Sequence, residues 1–276
     1  SAGRVQSCLL NLLICHEKKI QEFQEKETYS TKALFSQDNR NLSCKCLENF
    51  TKKEEALSFL EELVEKDIWK LTQINQTKET KHPPFPFITS TLQQAAQIEL
   101  GFNVSQTMKI AQKLYESGKI TYMRTDSTYM SSLFHSQLKT WIVDRYGEDY
   151  YQRFSSKKKS KGAQEAHEAI RPTNINFDFP NTTTSVEKKL YDLIKKRTVI
   201  SNMKPALYDV YEYTLENETC SYLFQGTEKH LTFAGFLNYS SSNQLTTYKP
   251  FQLHSLFTFQ ECSCQQTFSQ PPTYWN

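Results

Sequence analysis

The chain has 276 residues, 38% hydrophobic and 13% aromatic, with a net charge of +3 and a pI near 8.3. That composition builds cores and excludes global disorder, and its mild basicity permits a polyanionic partner without demanding one. No apolar run reaches the roughly 18–20 residues a membrane helix needs, and seven cysteines, an odd number, point to a reducing compartment rather than a disulfide framework.

The opening "SAGRVQSCLLNLLIC" has an apolar run of signal-peptide length but no small-residue cleavage site after it, and Arg4 and Gln6 stand where a signal would have its basic start. We read 1–27 as an amphipathic helix. The chain does not begin with Met, so it is expected to start inside a longer protein. "YSTKALFSQDNRNLSCKCLENF" alternates as strands do, and "KKEEALSFLEELVEK" is an amphipathic helix with Leu57, Phe59, Leu60 and Leu63 inward and acidic residues in its first turn. "HPPFPF", 82–87, cannot be helix interior and marks a boundary.

Two short helices follow. Ser90 or Thr91 is expected to cap the first and Gly101 to close it; Ser105 caps the second, Met108, Ala111, Leu114 and Tyr115 keep helical spacing, and Gly118 ends it. With a brief strand at 119–122 they make a helix-turn-helix with a wing. Asp126 or Ser127 caps the next helix, running to about Tyr146 with Leu133, Leu138 and Ile142 inward. "SSKKKSKG", 155–162, reads as a solvated basic loop. "AQEAHEAIRP" starts helical and stops at Pro172, and "VEKKLYDLIKKRTVISNM" is another amphipathic helix. From 207 to 268 the pattern alternates as strands do. The fold class is α+β: a helical domain, 84–205, inserted into a discontinuous β-rich domain, 23–83 and 206–268, with 1–22 as a leading helix and 269–276 as a tail.

Several residues carry candidate chemistry. Tyr122 ends the short strand, and Arg124 shares its face if the strand continues. A phenol has a pKa near 10 and needs help to attack anything. A guanidinium beside a phosphodiester supplies that help, stabilising the phenolate and the developing charge. Covalent tyrosine catalysis is chemically sound, yet among 15 tyrosines the spacing alone favours a packing role. His167 stands among Glu165, Glu168 and Arg171, and on a helix it shares a face with Arg171. It can donate a proton or orient a phosphate, and a charged surface histidine is the blander alternative. Arg4 and Gln6 open a helix whose free N–H groups could hold a phosphate. The CxC pairs Cys44/Cys46 and Cys262/Cys264 could meet around zinc, although that spacing also arises by chance in strands. Asn-x-Ser/Thr triplets such as Asn49-Phe50-Thr51 are discounted in the absence of a secretion signal. There is no glycine-rich phosphate loop, no HExxH and no Asp-x-Asp cluster for Mg²⁺.

"SAGRVQS" at 1–7, "PFITSTLQQAA" at 86–96, "TMKIAQKLYESGKITYMRTDST" at 107–128 and "AQEAHEAIRPT" at 163–173 resemble the signature blocks of type IA DNA topoisomerases of the bacterial topoisomerase I kind. The resemblance covers nearly the whole chain, strongly in 84–173 and weakly in the β-rich parts. It implies that Tyr122 is the nucleophile, forming a 5′-phosphotyrosine and a free 3′-OH on single-stranded DNA. A second strand would pass through the gap before religation, without ATP. Arg124 would support the scissile phosphate and His167 would position DNA. Ser1, Ala2, Gly3, Arg4, Val5 and Gln6 would line the single-strand groove, joined as DNA contacts by Arg171. The helical domain, with its CAP-like helix-turn-helix, would move, and the β-rich domain would arch around the DNA.

The implied partners are single-stranded and negatively supercoiled DNA, met by a cytoplasmic, nucleoid-associated monomer with no membrane contact. The implied cofactor is Mg²⁺. Its ligands in the family, a glutamate and Asp-x-Asp on an N-terminal toprim domain, have no counterpart here, so no metal site is expected in this chain. "QPPTYWN" resembles the start of a further family block. The expectation is an internal fragment that alone does not relax supercoiled DNA. The competing class is a non-catalytic DNA-binding module using the helix-turn-helix block. A winged-helix transcription factor is a third reading, weakly served by a helix in which Lys109 and Lys113 stand with Gln106, Gln112 and Glu116.

Overall fold

The computed structural model describes residues 3–154, 167–180, 185–240 and 247–273, with Val5 described for its backbone only. Its elements are α1 (Arg4–Gln21), β1 (Glu27–Gln37), β2 (Arg40–Phe50), α2 (Lys53–Val64), β3 (Ile68–Lys81), α3 (Thr89–Leu100), α4 (Val104–Glu116), α5 (Ser132–Tyr146), α6 (Val186–Ile200), β4 (Ala206–Asn217), β5 (Cys220–Phe233) and β6 (Leu256–Phe268). They fall into two units. One takes Ser1–Thr77, Val210–Lys229 and Tyr248–Asn276; the other takes Lys78–Asp209 and His230–Thr247. Strands β3, β4 and β5 each carry residues of both.

The first unit is built on a closed barrel in the order β1-β2-β5-β4-β3-β6. Asp38 and Asn39 both take positive φ, 48° and 64°, the conformation a two-residue hairpin demands, so β1 returns directly as β2. Alternation then decides the faces: Leu42, Cys44 and Cys46 of β2 are buried and the residues between them exposed. The interior is aromatic, with Phe35 edge-on to Trp69 (5.4 Å) and Phe224 (5.3 Å). Gly226 faces Cys44 across the β2–β5 ladder, where a Cβ would meet the Cys44 Sγ at 2.8 Å. Helix α2 buries Ala56, Phe59 and Leu63, while Leu57, expected inward, is exposed. Helix α1 begins at Arg4 and leaves Leu9, Leu10, Leu12, Leu13 and Ile14 exposed.

The two CxC pairs do not meet. Strand β1 lies between them and pairs Ala33 with Cys44 on one side and Cys262 on the other. Two strand spacings amount to roughly 10 Å, too far for ligands of one zinc ion. Burial pushes the Cys44 and Cys46 thiols up to about 12, which makes them core residues rather than nucleophiles.

The second unit is helical. Gly101 ends α3 in the left-handed conformation (φ 70°), as its position after the last apolar residue suggests. The cap of α4 is Asn103, whose side chain accepts from the Gln106 amide, rather than Ser105. Helix α5 starts later than its sequence suggests, with Ser131 as cap. It turns Phe134, His135, Leu138, Trp141 and Ile142 inward and leaves Leu133 75% exposed. Helix α6 buries Leu190, Tyr191, Leu193, Ile194, Lys195, Thr198, Val199 and Ile200, a wide inward face, and leaves Lys189 and Asp192 exposed.

Two expectations need correction. Residues 119–122 form a single antiparallel bridge, Ile120 to Pro172, instead of a strand. Residues 167–172 are extended, not helical, with a second bridge from Ile170 to Phe87. The basic loop 155–162 and the start of the "AQEAHEAIRP" block, including Glu165, lie outside the described residues.

Candidate active site

Tyr122 lies four residues beyond the turn that leaves α4. The Lys119 amide donates to the Leu114 carbonyl (2.8 Å), and Gly118 takes a positive φ of 68°, so the chain reverses away from the helix end. The next residues run antiparallel to 169–173. The Thr121 amide donates to the Arg171 carbonyl (2.9 Å) and the Thr173 amide to the Lys119 carbonyl (3.0 Å). The Thr121 hydroxyl adds a staple, donating to the Ala169 carbonyl (2.6 Å) and accepting from the Arg171 amide (3.0 Å). Ile120 and Met123 are buried on either side, which fixes where the half-buried Tyr122 leaves the backbone.

The Tyr122 ring sits between two others. Tyr115, near the end of α4, meets it edge-on with centroids 5.3 Å apart, and His167 lies 5.1 Å away on the opposed segment. Arg124 is exposed, and among the described residues no carboxylate pairs with it. The structure therefore brings Tyr122, Arg124 and His167 onto two paired segments of one unit. His167 and Arg171 do not share a helix face, because their segment is extended.

Glu168 and Arg171 lock that segment to α5. The Glu168 carboxylate accepts from the Ser131 amide (2.6 Å) and pairs with the Arg171 guanidinium. Arg171 also donates to the Pro172 carbonyl (2.8 Å) and lies over the Phe134 ring, 3.9 Å from its centroid. Arg171 was expected among the DNA contacts. It is only 8% exposed and committed to protein partners, so a phosphate would have to displace Glu168 to reach it. Gly3, Arg4 and Gln6 belong to the other unit, at the start of α1, where the Gln6 side chain accepts from the Gly3 amide (3.1 Å). Ser1, Ala2 and the Val5 side chain lie outside the described residues.

His135, beneath this cluster, is 5% exposed. Its Nδ1 has no partner among the described residues. Burial lowers its pKa, helped by the nearby Arg153 and Arg171 and opposed by Glu168. A folded-state pKa below the unfolded value means that the fold favours neutral His135. Its contribution to stability is complete above the ordinary histidine value of about 6.5 and is lost as pH falls from there through the lower folded value. Urea midpoints of the full chain are therefore expected to drop between pH 7.5 and 5.5 by less in His135→Phe than in the parent; equal drops would contradict this.

Sequence reasoning passed over Tyr115, Thr121 and Thr89. The Thr89 hydroxyl lies 2.8 Å from the Met123 carbonyl and 2.9 Å from the Thr125 amide. All three lie in the blocks at 86–96 and 107–128, but their contacts with the site are set by tertiary structure. Among the described residues no three His, Cys, Asp or Glu side chains converge on a metal position.

The DNA topoisomerase family profile matches residues 1–276. DNA topoisomerase 1 of Rickettsia bellii is 38% identical over 259 residues, which is 86% of this chain and 32% of that protein. The Campylobacter jejuni DNA topoisomerase 1 is 32% identical over 299 residues, 100% of this chain and 42% of that one. The solved structure of full-length topoisomerase I from Thermotoga maritima matches with a TM-score of 0.79 at 32% identity, covering 100% of this chain and 46% of that one. The chain thus spans about a third to just under a half of the length of the relatives it matches. The profile and the solved fold each run along the entire chain, which belongs to the type IA DNA topoisomerase family.

Proposed function

We propose that the protein breaks and rejoins one strand of DNA through Tyr122. The Tyr122 oxygen attacks a backbone phosphorus as the phosphorus–O3′ bond breaks. The phenolic proton leaves the tyrosine, and the departing oxygen is protonated to a free 3′-OH. The 5′ end stays on the protein as a phosphotyrosine, and attack by the 3′-OH reverses the step. The bond energy is conserved, so no ATP is consumed. The reading extends to relaxation of negative supercoils by strand passage, on single-stranded stretches, by a cytoplasmic, nucleoid-associated monomer. No step here is routed through Mg²⁺.

One observation carries the reading. A half-buried tyrosine, pinned on both flanks, stands two residues from an exposed guanidinium that no described carboxylate neutralises. Arg124 can bridge phosphate oxygens as charge builds on them. His167 supplies a polar ring beside the phenol. The second reading, a non-catalytic DNA-binding module, draws on α3 and α4, whose cations are partly engaged: Lys113 pairs with Glu187 at 3.4 Å.

End labelling separates the two. The native full-length protein is mixed with a single-stranded oligonucleotide and denatured in SDS. A 3′ label is expected to travel with the protein and a 5′ label to be released. Binding with no adduct favours the module, and a retained 5′ label contradicts the polarity. Arg124→Lys, which replaces a planar fork with a point charge, is expected to slow adduct formation by about tenfold or more. A near-parental rate in that assay would remove the phosphate-clamp role.

A further inference from the structure

We propose that Thr89, at the start of α3, is a positioning residue that sets Arg124 against Tyr122. The proposal rests on the function given above. The Thr89 hydroxyl lies 2.8 Å from the Met123 carbonyl and 3.0 Å from the Thr125 carbonyl, and it accepts from the Thr125 amide at 2.9 Å. The Thr89 amide donates to the same Thr125 carbonyl at 2.9 Å. One residue therefore holds the backbone immediately before and after Arg124. It does so from a firm base, since Leu92 and Ala96 of α3 are fully buried in the core of the unit.

Closing the helix end is not the task of this hydroxyl. Thr91 does that, accepting from the Ile88 amide at 3.1 Å and donating to the Ile88 carbonyl at 3.2 Å. The Thr89 hydroxyl is left free for residues 123–125. Met123 and Thr125 are buried, so without the hydroxyl the Thr125 amide loses its acceptor in a place water reaches poorly. The backbone at 123–125 would then relax, and Arg124 would shift against the phenol oxygen. Misplacing a reacting group by about 1 Å can cost roughly a hundredfold in rate.

The test uses the native full-length protein, a labelled single-stranded oligonucleotide at saturation, and the rate of SDS-resistant adduct formation. Thr89→Val keeps the shape and removes the hydroxyl. It is expected to lower that rate by about tenfold or more while oligonucleotide affinity stays within about twofold. Thr89→Ser keeps the hydroxyl and is expected to stay within about threefold of the parent. Ser185→Ala, which removes the distant cap of α6, provides a variant weakened in stability alone and is expected to keep the parental rate. A parental rate in Thr89→Val overturns the inference alone, as does an equal loss in Thr89→Ser or Ser185→Ala. If Thr89→Val does not fold, Thr89→Ser still decides, because a fall beyond about threefold overturns the hydroxyl's role. Absence of any adduct in the parent removes the proposed function, and this inference with it.

Discussion

Tyr122→Phe is expected to abolish the covalent protein–DNA adduct while the protein still folds. Only an oxygen is lost. The ring keeps its contacts with Tyr115 and His167, and the Thr121 staple beneath it is backbone-directed and unaffected. Removing a nucleophile outright costs about three orders of magnitude or more, because the remaining groups have nothing to activate. The adduct is read on a denaturing gel, and folding by the circular-dichroism melt. The neighbouring Tyr115, 41% exposed, makes the test informative. An adduct that survives Tyr122→Phe and disappears in Tyr115→Phe would move the chemistry to the wrong face of the pair and refute the assignment.

Glu168→Ala is expected to cost about 3 kcal/mol of stability, the low end of the range for breaking a buried ion pair by removing one partner, because the Glu168 side chain keeps 22% exposure. Two losses coincide there. The Arg171 guanidinium, whose side chain is 10% exposed, is left without its counter-charge, and the Ser131 amide at the head of α5 loses its acceptor. The Arg171 Nε already lacks a partner among the described residues, so little slack remains to absorb the change. Urea unfolding of the full chain measures it. The double variant Glu168→Ala/Arg171→Met, which removes both charges, is expected to recover part of the loss. A loss below about 1 kcal/mol in Glu168→Ala would show that the pair is solvated as surface pairs are.

Local chemistry was a good guide wherever the structure is itself local. The spacing of Ala111 and Leu114, with Gly101 and Gly118 as stops, marks the two helices before the site. Alternation in 29–50 marks strands, and the structure joins them as a hairpin through Asp38 and Asn39. It misled where distant segments compete. Asp126 and Ser127 have the chemistry of helix caps, yet the Ser127 amide bonds to the Thr125 hydroxyl at 3.0 Å, and the Tyr129 carbonyl receives the Ala169 amide at 2.7 Å. Those bonds hold 125–129 out of the helix until Ser131. The alanine and glutamate residues of the "AQEAHEAIRP" block favour helix. Pairing of Ile170 with Phe87 and Pro172 with Ile120 draws 167–172 into an extended strap instead.

The site shows the same division. Tyr-x-Arg was visible as a pattern, but spacing left it a packing tyrosine until the surrounding blocks were read together. Arg171 was named a DNA contact by resemblance alone; Glu168, three residues before it, is the partner that holds it in the structure. Thr89 lay inside the block at 86–96 with nothing to show its contacts. It acts 34 positions from Met123, and no periodicity connects the two.

The most direct measurement is the position of the covalent bond. Native full-length protein is trapped on a single-stranded oligonucleotide, digested with protease and nuclease, and the modified peptide sequenced by mass spectrometry. A nucleotide joined through its 5′ phosphate to Tyr122 is the predicted result. A nucleotide on any other residue, or no modified peptide from protein that has bound the oligonucleotide, would contradict it.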